Sequence, residues 1–182
     1  LYCTSCGSGL RLLPLARLLP ELERLLARGA RRFKFLDRSF NACEKHACEV
    51  LHFFLARARP ELQLHFEIVP VALGGELRSC LAAFAPGVLH LEVGVQTLND
   101  GVARGVGRPE ARATVLDVLC FLLHATGAHV HADLIFGLPG EDESSFAAGF
   151  DTLARLGVPQ VQVNRLKGLP GTPLPRLPEL RD

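Results

Sequence analysis

Apolar residues in this chain fall into two kinds of segment that alternate along its length. Short segments in which apolar residues recur, often at every second position, predict β-strands at 31–40, 62–70, 88–97, 129–137 and 158–166. Longer segments with apolar residues at helical spacing predict helices at 13–28, 41–58, 75–85, 108–127 and 142–157. Asn41 is a predicted N-cap, Gly29 follows the end of the first predicted helix, and Gly127 and Gly157 are the last residues of two later ones. This alternation predicts an α/β fold with a parallel sheet and right-handed crossovers.

The predicted strands end in polar or glycine-rich residues. Asp37-Arg38-Ser39 lies at the end of the first strand, Gln96-Thr97 at the end of the third, and Gly137-Leu138-Pro139-Gly140 at the end of the fourth. Doubly wound sheets and α/β barrels both fit the alternation, and in either one functional groups gather beyond the carboxyl ends of the strands. No glycine-rich phosphate turn follows the first strand, which counts against a dinucleotide-binding fold. We therefore expect an active site along this edge.

Composition narrows the setting of the protein. The 182 residues are 48% apolar, enough for the core of one domain, and include 20 basic and 19 acidic residues. This balance gives no electrostatic reason to expect a nucleic-acid or membrane partner. Six scattered cysteines do not resemble the framework of a secreted disulfide-rich domain, so a cytoplasmic location is expected. The chain has no methionine, even at position 1, and is interpreted as a fragment of a longer protein.

Five stretches together resemble the radical S-adenosylmethionine (SAM) superfamily. They are FKFLDRSFN (33–41), LHFEIVP (64–70), LHLEVGVQTLN (89–99), HVHADLIFGLPGEDESSF (129–146) and VQVNRLKGLPGTPL (161–174). The likeness is greatest to cobalamin-binding radical SAM proteins that carry a further C-terminal domain of unknown function. It implies a partial (β/α)6-type barrel over 1–168 whose first strand is missing, followed by an irregular proline-rich tail at 169–182.

The resemblance also implies the cofactors. The family places a C-x3-C-x2-C cluster motif just after its first barrel strand, and Tyr2-Cys3 matches the end of that motif. Cys3 would then be the third ligand of a [4Fe–4S] cluster, whose site needs three thiolates. The implied chemistry is reductive cleavage of SAM to a 5′-deoxyadenosyl radical, with an electron donor such as flavodoxin or ferredoxin. Cobalamin is expected as a further cofactor of the intact protein, and the substrate is a small molecule or unknown.

The resemblance further assigns residues to the SAM pocket. Asp37, Arg38 and Asn41 would meet the amino-acid end of SAM, and Glu67 and Glu92 its ribose or a substrate. The remaining residues expected at the pocket are Gln96, Arg108, Asp133, Gly137 and Pro139. Independently of the family, Arg108 opens the predicted helix 108–127, which is unfavourable for a cation and favours a functional role.

Other interpretations stay open. Cys3 and Cys6 form a C-x-x-C pair that would suit half a zinc site or a redox pair. Lys167 after the last strand would suit a cluster-free barrel enzyme that forms a Schiff base, and a non-catalytic or decayed barrel is a further alternative. Gly74-Gly75-Glu76 is interpreted as a turn and helix start.

Overall fold

A computed structural model of the chain describes residues 11–169 and residue 172. Within them, five strands form one sheet in which all neighbours are parallel. The strands are β1 (Arg32–Lys34), β2 (Gln63–Ile68), β3 (Leu89–Gln96), β4 (His129–Phe136) and β5 (Gln160–Arg165). The helices are α1 (Leu15–Ala27), α2 (Glu44–Leu55), α3 (Gly75–Ala82), α4 (Asp100–Gly105), α5 (Arg112–Ala125) and α6 (Glu143–Leu156). The predicted α/β class with a parallel sheet is confirmed.

The spatial order of the strands decides between the two architectures left open by the sequence. The order in the sheet is β1-β2-β3-β4-β5, the same as the order along the chain. Parallel crossovers are right-handed, so a sheet that never reverses its strand order carries all its helices on one face. A doubly wound sheet instead reverses its order and carries helices on both faces. The fold is therefore that of a partial α/β barrel, as expected.

The two faces of the sheet differ in chemistry. One face is apolar and packs with residues of α1, α2, α3, α5 and α6 into a single core, in which Leu64, Phe66, Leu91 and Val130 are almost fully buried. Burial alternates along β2, β3 and β4, which places every second residue on the opposite face. We call this opposite side the inner face, and it carries Lys34, His65, Glu67, His90, Glu92, Gly94, His129, His131 and Asp133.

Several predicted elements have different bounds. The predicted strand 31–40 is paired only over Arg32–Lys34, because the chain then leaves the sheet and forms a short 3₁₀ turn at Phe40–Ala42. The predicted helix 108–127 begins only at Arg112, and the sequence interpretation missed the short α4 before it. Asn99 is the N-cap of α4, and its side chain accepts hydrogen bonds from Gly101 N and Val102 N.

Helix ends agree better with the sequence. Gly29 and Gly157 have φ of +94° and +81°, the left-handed conformation expected of glycine after a helix. Gly74 is the N-cap of α3 and Gly75 its first residue, which confirms the interpretation of Gly74-Gly75-Glu76 as a turn and helix start. An added Cβ at Gly74 would lie 2.2 Å from the Glu44 carboxylate, so glycine fits the close approach of that side chain. No helix in the described part of the chain has the length and apolar character that a membrane crossing requires.

Candidate active site

Polar side chains on the inner face form rows across the strands, because parallel register places them side by side. In one row, Lys34 lies opposite His65, His65 opposite His90, and His90 opposite His129. In the next row toward the carboxyl ends, Glu67 lies opposite Glu92 and Glu92 opposite His131. Asp133 follows one step further, opposite Gly94. The inner face therefore has a basic row and, nearer the strand ends, an acidic one.

Glu92 is the centre of a hydrogen-bonded group in the acidic row. His65 Nε2 lies 3.2 Å from Glu92 Oε2, and the Glu92 and Asp133 side chains also hydrogen-bond each other. Burial would raise the pKa of Glu92, but its bonds with His65 and Asp133 outweigh that effect and place the pKa below its usual value. Burial and the neighbouring Glu92 charge raise the pKa of Asp133 to about 7. The two carboxyl groups thus have clearly different proton affinities.

The other side of Asp133 faces His131. His131 Nε2 lies 3.3 Å from Asp133 Oδ1, close enough for an ion pair but without hydrogen-bond geometry. Both atoms are inaccessible to solvent and have no hydrogen-bond partner among residues 11–169 and 172. Burial lowers the pKa of His131 despite the nearby Glu92. Buried polar atoms without partners are uncommon in folded proteins, and they indicate a place for a bound group.

The end of β3 has an irregular backbone around Gln96. Its φ is +69°, the only positive φ at a non-glycine position in the described chain. The ladder to β4 shifts register between Gly94 and Gln96, and Thr97 N donates to Val95 O at 2.9 Å, closing a three-residue turn centred on Gln96. Bulges and left-handed residues of this kind commonly redirect a side chain at functional sites.

Arg108 reaches the same strand end from the loop between α4 and α5. Its Nη1 donates to Gly94 O at 2.8 Å. The structure therefore places Arg108 beside Gln96, as the sequence interpretation expected, but the argument from a helix start was wrong, because α5 begins at Arg112. A Cβ on Gly94 would lie 2.9 Å from Gln96 Nε2 and 3.5 Å from Arg108 Nη2, so a side chain there would displace both groups.

The loop after β4 is held against the end of β3 by polar residues that sequence reasoning missed. Thr97 Oγ1 donates to Glu141 Oε1 at 2.5 Å, and Asn99 Nδ2 donates to Ser145 Oγ at 2.8 Å. Burial raises the pKa of Glu141 despite the Thr97 bond. Within the same loop, Gly137 has a φ of +89° and is exposed, beside the half-buried Pro139. No single stretch of sequence signals these contacts, since their partners are more than forty positions apart.

The residues expected at the amino-acid end of SAM lie apart from this group. Asp37 and Arg38 are exposed and line a cleft of about 220 Å³ together with Phe40, Cys43 and His46. Asn41 is 4% exposed. Its side chain donates to Val69 O at 2.8 Å and accepts from Val69 N at 2.9 Å, which joins the 3₁₀ turn to the end of β2. Asn41 is therefore not the N-cap of α2, a position that Cys43 occupies.

Histidines line a second cavity at the amino-terminal end of the inner face. Its volume is about 290 Å³, and its lining includes His65, His90, His129, His131 and Gln160. Burial and the neighbouring His129 lower the pKa of His90, which favours neutral imidazoles. Among the described residues, no group of three or more His, Cys, Asp or Glu side chains is arranged to hold a metal ion.

Cysteine and lysine chemistry receives little support from the described residues. Cys3 and Cys6, and with them the predicted cluster ligand, lie outside those residues. Cys48 and Cys80 are buried, and burial raises the pKa of the Cys48 thiol to about 12, which suits an unreactive core residue. Lys167 is exposed. An exposed amine lacks the desolvation that activates Schiff-base lysines.

Comparisons with known proteins agree on one superfamily. No protein-family model matches the sequence. The chain is 28% identical over 174 residues to tRNA-2-methylthio-N(6)-dimethylallyladenosine synthase of Syntrophotalea carbinolica, a match over 91% of this chain and 40% of that protein. The fold resembles the radical SAM methyltransferase TsrM of Kitasatospora setae, solved with cobalamin and a [4Fe–4S] cluster, with a TM-score of 0.70 and 22% identity over 84% of this chain and 31% of that one.

A second solved structure has the same fold. Coproporphyrinogen III oxidase HemN of Escherichia coli, described as a radical SAM enzyme, matches with a TM-score of 0.60 and 18% identity over 85% of this chain and 39% of that one. The chain thus spans less than half the length of each of these proteins. At these identities the two solved structures establish the fold. The sequence match to the synthase is a separate observation that agrees with them.

Proposed function

Because this chain belongs to the radical SAM superfamily, we propose that the intact protein binds SAM at the carboxyl ends of β3 and β4 and cleaves it reductively. The observation that carries this proposal is the convergence of Gln96, Arg108 and Asp133. Arg108 bonds Gly94 O, Gly94 lies opposite Asp133, and Gln96 turns back beside both through its left-handed backbone. Residues distant in sequence thus form one polar site where α/β barrels bind ligands.

The described residues fit the parts of SAM. The Arg108 guanidinium beside the end of β3 suits two-pronged binding of the SAM carboxylate. The Gln96 side chain offers both a donor and an acceptor. The buried Asp133 Oδ1 needs a hydrogen-bond partner, which a ribose hydroxyl would supply. The left-handed backbone at exposed Gly137, with no added-Cβ contact closer than 3.9 Å, would let the loop approach the nucleoside. Glu67 and Glu92 would complete this surface from the acidic row.

The cleft beside β1 supplies further residues for the amino-acid end of SAM. We propose that Asp37 and Arg38 approach it from the neighbouring cleft, since both line that cleft and belong to the family-like stretch FKFLDRSFN. Asn41 contributes by holding the turn in place through Val69. The cluster would be ligated by Cys3 with further thiolates, and when bound it would supply the electron for cleavage. The protein residues would hold SAM in one orientation and shield it from water.

Membership of the cobalamin-binding branch of the superfamily is also a proposal. We infer cobalamin use in the intact protein from the stretches FKFLDRSFN and LKGLPGTPL, and the fold of a cobalamin-containing methyltransferase is compatible with it. The substrate class is open between small molecules and RNA, since the names of similar proteins include a tRNA-modifying synthase and a coproporphyrinogen oxidase. The balanced charge of this chain favours a small molecule.

The test uses the intact protein, reconstituted anaerobically with iron and sulfide and supplied with SAM and dithionite. We expect 5′-deoxyadenosine to accumulate, and we expect Asp133→Ala and Arg108→Lys to slow its formation at least about tenfold. Asp133→Ala removes the carboxyl group that meets the ribose hydroxyls, and Arg108→Lys removes the two-pronged contact to the SAM carboxylate; a loss of about 1.4 kcal/mol corresponds to tenfold. Arg104→Lys on α4 is the matched control and should leave the rate unchanged. Absence of 5′-deoxyadenosine from a fully reconstituted protein would refute the proposed function.

A further inference from the structure

Glu92 has no part in the chemistry outlined above beyond membership of the acidic row, yet its surroundings are unusually constrained. It is half-buried on β3, and His65 from β2 holds one of its oxygens at 3.2 Å. On the side toward the strand ends its diagonal neighbour in the ladder is Asp133, which lies opposite Gly94, and the two carboxyl groups are within hydrogen-bond reach. Two carboxyl groups in direct contact cannot both be ionised without strong repulsion, so such a pair normally retains one proton between them.

We propose that Glu92, anchored by His65, is a positioning residue that shares one proton with Asp133 and so presents the Asp133 carboxyl group to the ribose of SAM as a hydrogen-bond donor as well as an acceptor. This inference rests on the proposed function, since it deepens the role of the same nucleoside site. It gives Glu92 a defined task that differs from contact with the ligand.

The location of the proton follows from the partners of each carboxyl group. Glu92 receives a hydrogen bond from His65 and the attraction of nearby Lys34, both of which favour its ionised form. Asp133 is more deeply desolvated and faces the charge of Glu92, which favours its protonated form. The shared proton therefore resides mainly on Asp133, while Glu92 is its acceptor.

The remaining groups near the pair do not reverse this assignment. Glu67 on β2 adds a smaller effect in the same direction, raising the pKa of Asp133. His131 on β4 lies at ion-pair distance from Asp133 Oδ1, but burial lowers the pKa of His131 and favours its neutral form. From β5, Gln162 lies opposite Asp133 in the ladder and carries no charge.

The pair is suited to a diol. Asp133 Oδ1 is buried without a hydrogen-bond partner in the described chain, which leaves it an acceptor for one hydroxyl. On binding, the Asp133 O–H would break its hydrogen bond to Glu92 and donate to a second hydroxyl oxygen, while Glu92 would remain a carboxylate held by His65. Adjacent ribose hydroxyls each donate and accept, so a carboxyl–carboxylate pair matches them better than two carboxylates would.

The first test follows the carboxyl groups directly, by ¹³C NMR titration of the side chains of Asp133 and Glu92. We expect Asp133 to titrate near pH 7 in the wild type and below about pH 6 in Glu92→Gln, because the neighbouring charge is gone. Glu67→Gln is the comparison on the same face and should lower the Asp133 titration by clearly less than Glu92→Gln does, because its effect is the smaller one. Titration of Asp133 below about pH 5 in the wild type, or equal shifts in both variants, would overturn the inference.

A second variant keeps the test decisive if Glu92→Gln does not fold. His65→Leu removes the hydrogen bond that favours ionised Glu92, so we expect the higher titration step to move from Asp133 toward Glu92. An unchanged titration of both groups in His65→Leu would show that His65 does not anchor the pair.

The second measurement adds 5′-deoxyadenosine, which carries the ribose and adenine but not the amino-acid end, and follows its binding by NMR. We expect affinity to fall about tenfold or more between pH 6 and pH 8.5 in the wild type, as the shared proton is lost, and to stay level in Glu92→Gln. Binding that does not change with pH in the wild type would refute the inference while leaving the proposed function intact. Absence of binding at every pH, with the carboxyl titration as expected, would instead refute the nucleoside site.

Discussion

The Thr97 hydroxyl donates a hydrogen bond to the Glu141 carboxylate at 2.5 Å, which joins the end of β3 to the loop after β4. Thr97 is 5% exposed, so this bond lies in the interior, directly after the strained Gln96. It therefore fixes the spacing between two strand ends that each supply part of the proposed SAM site. Thr97 and Glu141 act on the site through its backbone, and neither needs to touch a ligand.

We predict that Thr97→Val lowers the free energy of unfolding by about 1–3 kcal/mol. The substitution keeps the shape of the side chain but removes the Thr97 hydroxyl that donates to the half-buried Glu141 carboxylate. Urea denaturation measures the effect, and Thr114→Val on α5 is the matched control, expected to change stability by less than about 0.5 kcal/mol. Equal stability of Thr97→Val and wild type would show that the bond does not support the loop.

How far the sequence predicts this fold depends on the range of the interactions involved. The alternation of strands and helices was predictable because burial of every second residue in β2, β3 and β4 leaves a direct trace in the residue pattern. The early end of β1 was not, because apolar residues recur up to Phe40 while the chain turns out of the sheet to pack Phe40 against Phe66. At the end of β1, packing between residues distant in sequence decides the structure, and the local residue pattern carries no sign of it.

The candidate site also contains residues that the sequence could predict and contacts that it could not. Gln96, Arg108 and Asp133 were selected through family resemblance, and the structure brings them close together at the ends of β3 and β4, while their part in binding SAM stays a prediction. The pairing of Glu92 with Asp133 was not, since it depends on parallel register and on a diagonal contact between strands. The role of Asn41 was misjudged as an N-cap, because an Asn before a helical segment has the same local signature whether it caps that helix or binds a distant strand.

Backbone strain at Gln96 gives a second prediction. Replacing Gln96 by alanine keeps a side chain at a φ of +69°, whereas glycine adopts this conformation without steric cost. We expect Gln96→Gly to be more stable than Gln96→Ala by about 1 kcal/mol, although both lose the side-chain amide. Denaturant unfolding of the two variants compares them directly. Greater stability of the alanine variant would contradict a strained turn at this position.

Asn41 gives a third prediction, which separates structural support from ligand contact. Asn41→Ala should lower the free energy of unfolding by about 2–3 kcal/mol, since it removes two hydrogen bonds and leaves the Val69 backbone groups unpaired. Asp37→Ala, at an exposed position in the same segment, should change stability by less than about 0.5 kcal/mol. Thermal and urea unfolding test both. A stable Asn41→Ala protein would mean that the turn does not depend on this side chain.

The dependence of stability on pH gives a fourth prediction. The folded protein retains a proton on Asp133 to about pH 7, whereas the unfolded chain releases it near the ordinary pKa of 3.8. The contribution of Asp133 is therefore fully present below about pH 4 and is lost as pH rises toward 7. Neutral His90 and His131 act in the opposite direction below pH 6.5. The difference in unfolding free energy between wild type and Asp133→Asn isolates the effect of Asp133 and should decrease from pH 4 to 7. A difference that rises or stays level would contradict it.

Titration of the chain with SAM, followed by NMR at each backbone and side-chain amide, tests the central claim most directly. We expect saturable shifts at Gln96, at the Arg108 guanidinium and along 133–137, with losses in Asp133→Ala and Arg108→Lys but not in Arg104→Lys. Saturable shifts confined to the histidine-lined cavity, or no shifts at the ends of β3 and β4 at saturating SAM, would contradict it.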